Sequence, residues 1–390
     1  MIQVEEALSI IAAQSVKMPI QKIKVSKSLN YVLAKTIYSP IDMPPFRQSA
    51  MDGYAFKHSE LKEFKVVGTS KAGDFSNEKL GQNEAIRIFT GAFVPDDLDT
   101  VVMQEHTSVN DSILQISKMP TCSANVRAKG EQIKKEELVL EKNTFITPAA
   151  IGFLACLGIS EILVYAKPKV AIVVTGNELI SAGKKLPKGK IYESNAVMLK
   201  SALQTIGIQK VKKIRVRDNF KDTKKVLKEC LNQFDVVLVS GGISVGDYDL
   251  VKEALLQNGV KEWFYKINQK PGKPLFFGKK NQSIVFALPG NPASALTCFF
   301  VYVYPALKIG MGFDAIHLPK IERKIKTSFE NNSGKSLFLK AYYDSESVTV
   351  LESQSSAMLN TFALANGLIY IPFNVEKIEL NESVTVIPIQ

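Results

Sequence analysis

Histidine is scarce in this chain of 390 residues, which has only three: His58, His106 and His317. Catalytic zinc sites and Ser-His-Asp triads both rely on histidine side chains. The scarcity therefore excludes a histidine-rich metal centre and argues against a serine-hydrolase triad. We expect all three histidines to be structural.

Cysteine is rare as well. The chain has four, Cys122, Cys156, Cys230 and Cys298, and their positions lack the close spacing that metal ligands show. We predict four buried thiols in a reducing compartment.

Long apolar runs are missing too. The most apolar long stretch, residues 148 to 166, is interrupted by Gly158 and Glu161 and is short of a clean membrane span. The N-terminal residues 1 to 6 have no basic segment before an apolar core, unlike a signal peptide. We therefore expect a cytoplasmic protein that does not bind membranes.

The charge is positive but dispersed. The formal net charge of +11 favours anionic ligands. The lysines are spread along the chain and do not cluster beside aromatic residues or a DNA-binding motif, so we expect phosphorylated small molecules rather than nucleic acid. With 46% hydrophobic and 22% charged residues, the composition is that of a soluble globular protein with room for two to four domains.

The most informative segment is a glycine-rich loop. Residues 240 to 249 (Ser-Gly-Gly-Ile-Ser-Val-Gly-Asp-Tyr-Asp) follow an apolar run at 235 to 239 and precede a helical pattern. Glycines let backbone N–H groups approach an anion, and carboxylates hold divalent cations. Two further loops, Lys-Pro-Gly-Lys-Pro at 270 to 274 and Leu-Pro-Gly-Asn-Pro at 288 to 292, lie close by in sequence. Together they predict nucleotide or phosphoryl chemistry.

Residues 169 to 312 alternate between strand and helix patterns. The predicted strands are 170–174, 211–216 and 235–239, and the predicted helices are 191–206, 223–231, 249–257 and a long apolar helix after Pro292. Such alternation indicates a parallel sheet covered by helices on both faces. Right-handed crossovers then bring the loops after these strands to one carboxyl edge, where α/β sheets bind ligands. We therefore expect Glu178, Asp218, Asp247 and Asp249 to converge.

The flanking regions have different patterns. Residues 54 to 146 contain short β-type runs at 85–89, 100–103 and 112–116, which predict a β-rich module. Predicted helices at 3–14 and from Pro148 to 158 would pair as a connecting layer. Beyond His317, alternating segments at 336–343, 367–372 and 383–388 predict a small all-β end domain.

Six motifs then identify a family. They are Met43 to Ala55 (Met-Pro-Pro-Phe-Arg-Gln-Ser-Ala-Met-Asp-Gly-Tyr-Ala), Phe89-Thr90-Gly91-Ala92, Thr175-Gly176-Asn177-Glu178-Leu179, and the three loops described above. In this order they resemble the molybdopterin molybdenumtransferase family, which includes MoeA and the gephyrin E domain. The resemblance runs from about residue 3 to the C-terminus.

The resemblance implies an activity, partners and an architecture. The activity is the magnesium-dependent insertion of molybdate into adenylylated molybdopterin, which releases AMP and yields molybdenum cofactor. The implied assembly is a homodimer with shared active sites, with a molybdopterin adenylyltransferase acting upstream and molybdoenzymes or their chaperones downstream. The implied fold is multidomain α/β plus β: a central three-layer α/β domain of the molybdopterin adenylyltransferase type, a β-rich N-terminal module and a C-terminal small β-barrel.

We divide the chain accordingly. The predicted domains are 1–53 with 133–166 (a connecting helical domain), 54–132 (an inserted β-rich domain), 167–315 (the α/β molybdopterin-binding domain) and 316–390 (the C-terminal β-barrel).

Site residues follow from the resemblance position by position. Those that match active-site positions are Asp52, Thr90, Arg127, Glu178, Asp218, Asp249, Lys266, Lys270 and Ser356. To these we add the loop residues Ser240, Gly241, Gly242, Ser244, Gly246, Lys273, Pro289, Asn291 and Pro292 as substrate-binding.

The chemistry suggests a role for each group. Glu178, Asp218 and Asp249 would hold magnesium and a water at the phosphoanhydride. Asp52 would orient a water or a dithiolene proton.

The cations have a separate role. Lys266, Lys270 and Lys273 would hold the pterin phosphate and molybdate as point charges, and Arg127 would hold them as a bidentate donor.

Three positions depart from the expected pattern. Asn177 and Gln132 stand where aspartates are expected, and Lys340 stands where an arginine is expected. A second cation site or the molybdate pocket would differ accordingly.

Simpler interpretations remain open at this stage. The glycine loop would serve as a plain turn with Asp247 or Asp249 capping a helix, Lys270 to Pro274 as a solvated turn, and Asn291 as the cap of a helix with proline at its first position. Two other functions compete: a scaffold that binds partner peptides through this fold, and a nucleotide hydrolase or adenylyltransferase that shares only the α/β domain.

Overall fold

The computed structural model describes residues 1–76, 79–243 and 250–389. Segments that are distant in sequence pair with each other in the N-terminal region. The antiparallel pairs are Ile20–Lys24 with Glu161–Tyr165, Ile37–Tyr38 with Leu138–Leu140, and Gln48–Ser49 with Val126–Arg127. The helices here are Val4–Gln14 and Pro148–Cys156. Thr147 starts the second helix, because its side chain accepts a hydrogen bond from the Ala150 N–H.

A six-stranded sheet lies between these paired segments in the sequence. Its strands, in spatial order, are Thr100–Met103, Gly53–Phe56, Glu84–Ile88, Glu63–Ser70, Ile113–Ile116 and Thr107–Asn110. Phe56 and Phe64 are fully buried and, with other apolar strand residues, form its core. The three β-type runs predicted in this region are therefore strands.

The central domain is built on a second six-stranded sheet. Its spatial order is Val211–Val216, Val170–Thr175, Val236–Ser240, Ser283–Leu288, Phe276–Lys280 and Lys261–Tyr265. The first four strands are parallel, and Phe276–Lys280 pairs antiparallel with both of its neighbours. Alternate residues of the strand Val170–Thr175 enter two separate apolar cores, so the sheet is covered on both faces.

Helices cover the central sheet. They are Asn195–Thr205, Phe220–Gln233, Leu250–Gln257 and a helix that runs through Pro292–Cys298, a π-helical turn Phe299–Val303 and Tyr304–Gly310. The last helix, Pro292–Gly310, is long and apolar enough to cross a membrane, but it is mostly buried, as expected of a core helix. A small parallel pair, Leu179–Ile180 with Ile191–Tyr192, projects from the carboxyl edge.

The C-terminal region is a closed five-stranded β-barrel. Its strands are Ile321–Ile325, Ser336–Tyr343, Ser347–Val350, Gly367–Ile371 and Ser383–Pro388, and the pairing of Ser336–Tyr343 with Gly367–Ile371 closes it. A short pair, Phe329–Glu330 with Lys377–Ile378, and a helix, Leu359–Leu364, complete the region. The strand Gln269–Lys270 of the central domain pairs in parallel with Ser336 and Leu337, which attaches the barrel to that domain.

The predicted fold class is confirmed: a three-layer α/β domain, a β-rich N-terminal module and a C-terminal barrel. Helix boundaries differ in one informative place. The helix predicted over 191–206 begins only at Asn195, because residues 191 and 192 form a strand and Glu193 accepts the Ala196 N–H at the helix start. The residues before Asn195 are therefore free to face the ligand edge.

The prediction of four buried thiols was wrong for two of them. Cys122 and Cys156 are exposed, whereas Cys230 and Cys298 are buried. Burial raises the pKa of the Cys230 thiol to about 11 and that of Cys298 to about 12, because the thiolate would lose its hydration. The two exposed cysteines lie in a loop and at a helix end, positions that spacing alone does not reveal.

Candidate functional site

A large cavity opens at the carboxyl edge of the central sheet. It has a volume of about 1060 Å³, and an adjoining cavity of about 490 Å³ shares five lining residues with it. The shared residues are Thr175, Glu178, Gly241, Ile243 and Gly290. The predicted convergence of the loops after parallel strands is thus observed for residues 175–178, 217–219 and the described part of the glycine loop.

The base of the large cavity is held together by Asn195. Its side-chain NH₂ donates to Ser240 Oγ at 2.8 Å and to the Gly290 carbonyl at 2.7 Å, so it joins two of the predicted ligand loops. Gly241 and Gly242 have φ of +91° and +65°, and a Cβ at either would lie within 3.0 Å of Thr175 atoms. Glycine is therefore required where the loop passes over Thr175.

Two polar atoms at this base have no partner. Thr175 Oγ1 and Asn195 Oδ1 are both buried and make no hydrogen bond among the described residues. An unpaired buried polar atom costs free energy unless a ligand or water satisfies it. The base of the cavity therefore has unsatisfied hydrogen-bonding capacity for a polar ligand.

The adjoining cavity is acidic. Glu178 and Asp218 line it, and both are exposed. Asn177 ties their loops together: its N–H donates to Asp218 Oδ2 at 2.8 Å, and its Oδ1 accepts from the Asp218 N–H at 3.3 Å. An aspartate at position 177 would add a second negative charge beside Asp218, so asparagine lowers the charge density here.

Basic residues line the large cavity on another side. Lys270, Lys273 and Lys335 are among its lining residues. Lys270 and Lys273 are exposed and flank the turn at Pro271 and Gly272. Lys266, which was predicted to join them, is not among the residues that line either cavity, and its Nζ lies 4.9 Å from the Tyr265 ring centroid.

The barrel closes the cavity through residues 354–357, all of which line it. Ser356 contacts the loop at 288 to 292 and the helix that follows it: its Oγ accepts from Asn291 Nδ2 at 2.8 Å, and its carbonyl accepts from the Ala293 N–H at 3.2 Å. The helix does begin with Pro292 after Asn291, but the Asn291 side chain makes no capping hydrogen bond. Pro289, Asn291 and Pro292, the residues of this loop that the sequence analysis assigns to substrate binding, line the cavity.

Lys340, one of the three positions that depart from the expected pattern, does not line either cavity. It is 3% exposed, and its Nζ donates to the carbonyls of Ser353, Ser355 and Met358. Burial lowers its pKa below the ordinary lysine value. In this chain the lysine fixes the barrel loop that carries Ser356.

A second group of predicted residues lies apart from the cavities. The described residues that line either cavity all fall between 174 and 357, so Asp52, Thr90 and Arg127 are not among them. Asp52 Oδ1 accepts from the Thr90 N–H at 2.7 Å and from its hydroxyl at 3.0 Å. The bond from the Thr90 N–H contributes most and the bond from its hydroxyl next, and together they hold the pKa of the Asp52 carboxyl below its ordinary value. Arg127 is exposed on the strand paired with Gln48.

Some predicted residues fall outside the described part of the chain. They are Ser244, Gly246, Asp247 and Asp249. Gln132 is another position that departs from the expected pattern. Its N–H donates to the Met43 carbonyl at 2.9 Å.

Several cavity residues were missed from the sequence. They include Tyr192, Glu193, Asn195, Ser294, Lys335 and Gln354. Glu193 and Asn195 had been assigned to a helix body, which concealed them. Glu193 is buried and forms an ion pair with Lys213. Tyr192 is the one aromatic residue among the described residues that line the cavity, and its hydroxyl donates to the Lys184 carbonyl at 2.8 Å. The hydroxyl and acidic residues next to the start of this helix were the sequence signal that could have revealed these cavity residues.

Glycine-rich and basic loops at the edge of a parallel sheet, next to a carboxylate pair, define an α/β protein of the class whose members bind phosphate-like anions at that edge. Three family models match the chain. They are the MoeA N-terminal region (domain I and II) over residues 2–158, a probable molybdopterin binding domain over 171–309, and the MoeA C-terminal region (domain IV) over 322–389.

Relatives and solved structures agree with these matches. The molybdopterin molybdenumtransferase of Haemophilus influenzae is 34% identical over 376 residues, covering 94% of this chain and 93% of the relative. That of Staphylococcus aureus is 31% identical, covering 99% and 95%. A molybdopterin biosynthesis MoeA protein from Pyrococcus horikoshii superposes with a TM-score of 0.85 at 29% identity, covering 100% and 99%. The chain therefore belongs to the molybdopterin molybdenumtransferase family, and it is an enzyme.

Replacing Lys340 tests its assigned role in the barrel. Lys340→Met removes the donor for three carbonyls, and each buried carbonyl left unpaired costs about 1–3 kcal/mol before rehydration. We expect the free energy of unfolding, measured by urea denaturation, to fall by about 2–4 kcal/mol.

The matched control is Lys324→Met, an exposed lysine on the barrel strand Ile321–Ile325. It should change stability by no more than about 0.5 kcal/mol. Equal effects of the two substitutions would show that the Lys340 contacts contribute nothing specific.

Proposed function

We propose that the protein inserts molybdate into adenylylated molybdopterin and releases AMP in a magnesium-dependent reaction. A role in molybdenum cofactor biosynthesis follows from its family. The observation that supports molybdate insertion and AMP release is the presence of two adjoining cavities. Lysines and hydroxyl groups are among the residues that line the larger one, and carboxylates are among those that line the smaller one. We further propose the four-domain division given above and a cytoplasmic location.

The lysine-lined cavity suits the anionic parts of the substrates. Lys270 and Lys273 present ammonium groups to the same space as Ser356 and the glycine loop. Molybdate and a phosphate are both tetrahedral oxyanions that accept hydrogen bonds from such donors. The Tyr192 ring and the exposed Ile191 beside it offer an apolar wall for a flat heteroaromatic ring.

The carboxylate-lined cavity suits magnesium. Glu178 and Asp218 offer hard oxygen ligands, and Mg²⁺ in phosphoryl-transfer sites is commonly bound by one or two carboxylates with substrate phosphates and waters. Substrate oxygens and waters would complete its coordination, together with Asp249, which lies outside the described residues. Bound there, the ion would neutralise charge that develops on the departing AMP. Asn177 would hold the Asp218 carboxylate in orientation through its N–H.

Asp52, Thr90 and Arg127 motivate the proposal of a homodimer with shared sites. All three are exposed in the N-terminal region, and none is among the described residues that line the two cavities. A two-fold dimer allows the N-terminal module of one subunit to reach the cavity of the other. We propose a molybdopterin adenylyltransferase as the source of the adenylylated substrate, and molybdoenzymes or their chaperones as recipients of the product.

The direct test follows AMP release by the purified protein. Given adenylylated molybdopterin and Mg²⁺, we expect AMP only when molybdate is added, because release is coupled to metal insertion. AMP without molybdate would identify a hydrolase or adenylyltransferase instead. No AMP under either condition would favour a non-catalytic scaffold.

A variant pair sharpens this assay. Lys270→Ala should raise the KM for the adenylylated substrate roughly tenfold, since it removes a charged contact, whereas Lys324→Ala on the barrel surface should leave KM unchanged. The same KM in both variants would remove Lys270 from the site.

The shared-site arrangement has an arithmetic consequence. When Asp52→Ala and Asp218→Ala chains are unfolded and refolded together, about half of the dimers are mixed. Each mixed dimer would contain one doubly damaged site and one intact site. About a quarter of wild-type activity should therefore return from two inactive parents.

Differently tagged chains verify that mixed dimers form. If they form and activity stays absent, each site is built within one chain, and Asp52 acts in its own subunit or not at all.

A further inference from the structure

The loop that carries Lys270 and Lys273 rests on a buried glutamine. Gln269 is 1% exposed, and its Nε2 donates to the Pro271 carbonyl at 2.9 Å and to the Gly272 carbonyl at 3.3 Å. These two residues are the centre of the turn between the two lysines. One side-chain amide thus fixes the backbone on which both ammonium groups depend.

The glutamine is itself oriented by a buried tyrosine. Because Nε2 faces two carbonyls, Oε1 faces the other way, where it accepts a hydrogen bond from the Tyr302 hydroxyl. Tyr302 is fully buried, and burial raises its pKa, so the hydroxyl stays protonated and remains a donor. Tyr302 lies on the π-helical turn Phe299–Val303, a local irregularity that is often found at functional sites.

The turn fits tightly against this support. Gly272 has a φ of +89°, and a Cβ there would lie 2.6 Å from Cys298 Sγ and 2.9 Å from Gln269 Nε2. The Cys298 thiol also points at the Gly272 carbonyl, at 3.7 Å. The turn therefore has little freedom to shift without breaking contacts of Gln269 or Cys298.

We propose that Gln269 and Tyr302 are positioning residues that hold Lys270 and Lys273 ready for the oxyanion of the substrate. The proposal rests on the proposed function, because it takes the two lysines as the oxyanion ligands. A loop fixed before binding loses less conformational entropy when it binds, so its affinity is higher. A buried amide also costs free energy unless all its hydrogen bonds are made, and here the loop carbonyls and Tyr302 make them.

The test measures molybdate binding by the full-length protein with calorimetry. Gln269→Met keeps the side-chain volume but removes both donors, and we expect the Kd for molybdate to rise about tenfold. Tyr302→Phe keeps the buried ring and should raise the Kd about threefold. The control is Tyr304→Phe, two residues along the same helix, where the ring lies 5.4 Å from Lys308 Nζ; it should leave the Kd unchanged.

A double-mutant cycle separates positioning from general stabilisation. If Gln269 acts through the lysines, Gln269→Met should have no further effect on the Kd in a chain that already carries Lys270→Ala and Lys273→Ala. An undiminished effect in that background, or a lowered melting temperature with an unchanged Kd, would overturn the proposal. If Gln269→Met fails to fold, Tyr302→Phe takes its place in the cycle.

Molybdate binding by the wild-type protein distinguishes failure of the proposed function from failure of the positioning role. Wild-type protein that does not bind molybdate contradicts the proposed function. Wild-type protein that binds it, with Gln269→Met and Tyr302→Phe binding equally well, contradicts only the positioning role.

Discussion

The parallel pairing of Gln269–Lys270 with Ser336 and Leu337 is the contact on which the cavity depends. It joins the barrel to the central domain immediately beside the lysine turn. As a consequence, barrel residues 354–357 lie over the carboxyl edge of a sheet to which they do not belong. Ser356 then closes the contact by bonding Asn291 and the Ala293 N–H.

The charges of the cavities are separated along the sheet edge. Lys270, Lys273 and Lys335 line the large cavity, Asp218 lines only the smaller one, and Glu178 lies where the two cavities adjoin. Opposite charges placed side by side would neutralise each other and lose their attraction for a ligand. Kept apart, they suit a substrate that carries an anion at one end and a cation-bridged phosphate at the other. Glu193, the buried carboxylate within the large cavity, is neutralised by Lys213.

Much of this arrangement was predictable from the sequence. The apolar runs at 170–174 and 235–239 predicted strands of a parallel sheet, and the rule that loops meet at the carboxyl edge brought Glu178 and Asp218 to one place. The roles of Asn195 and Gln269 were not predictable. Asn195 bonds a carbonyl from a loop that is distant in sequence, and the bonds of Gln269 depend on the exact geometry of the turn that follows it. From the sequence, Lys340 is only a lysine where an arginine is expected, and its three carbonyl contacts reveal that it holds the barrel loop.

The central claim is that the lysine-lined cavity is where the oxyanion binds. Anomalous diffraction from crystals soaked in molybdate, recorded at the molybdenum absorption edge, tests it most directly. We predict a molybdenum peak inside the large cavity, within hydrogen-bonding reach of Lys270, Lys273 or Ser356. Molybdenum peaks found only outside this cavity would contradict the account.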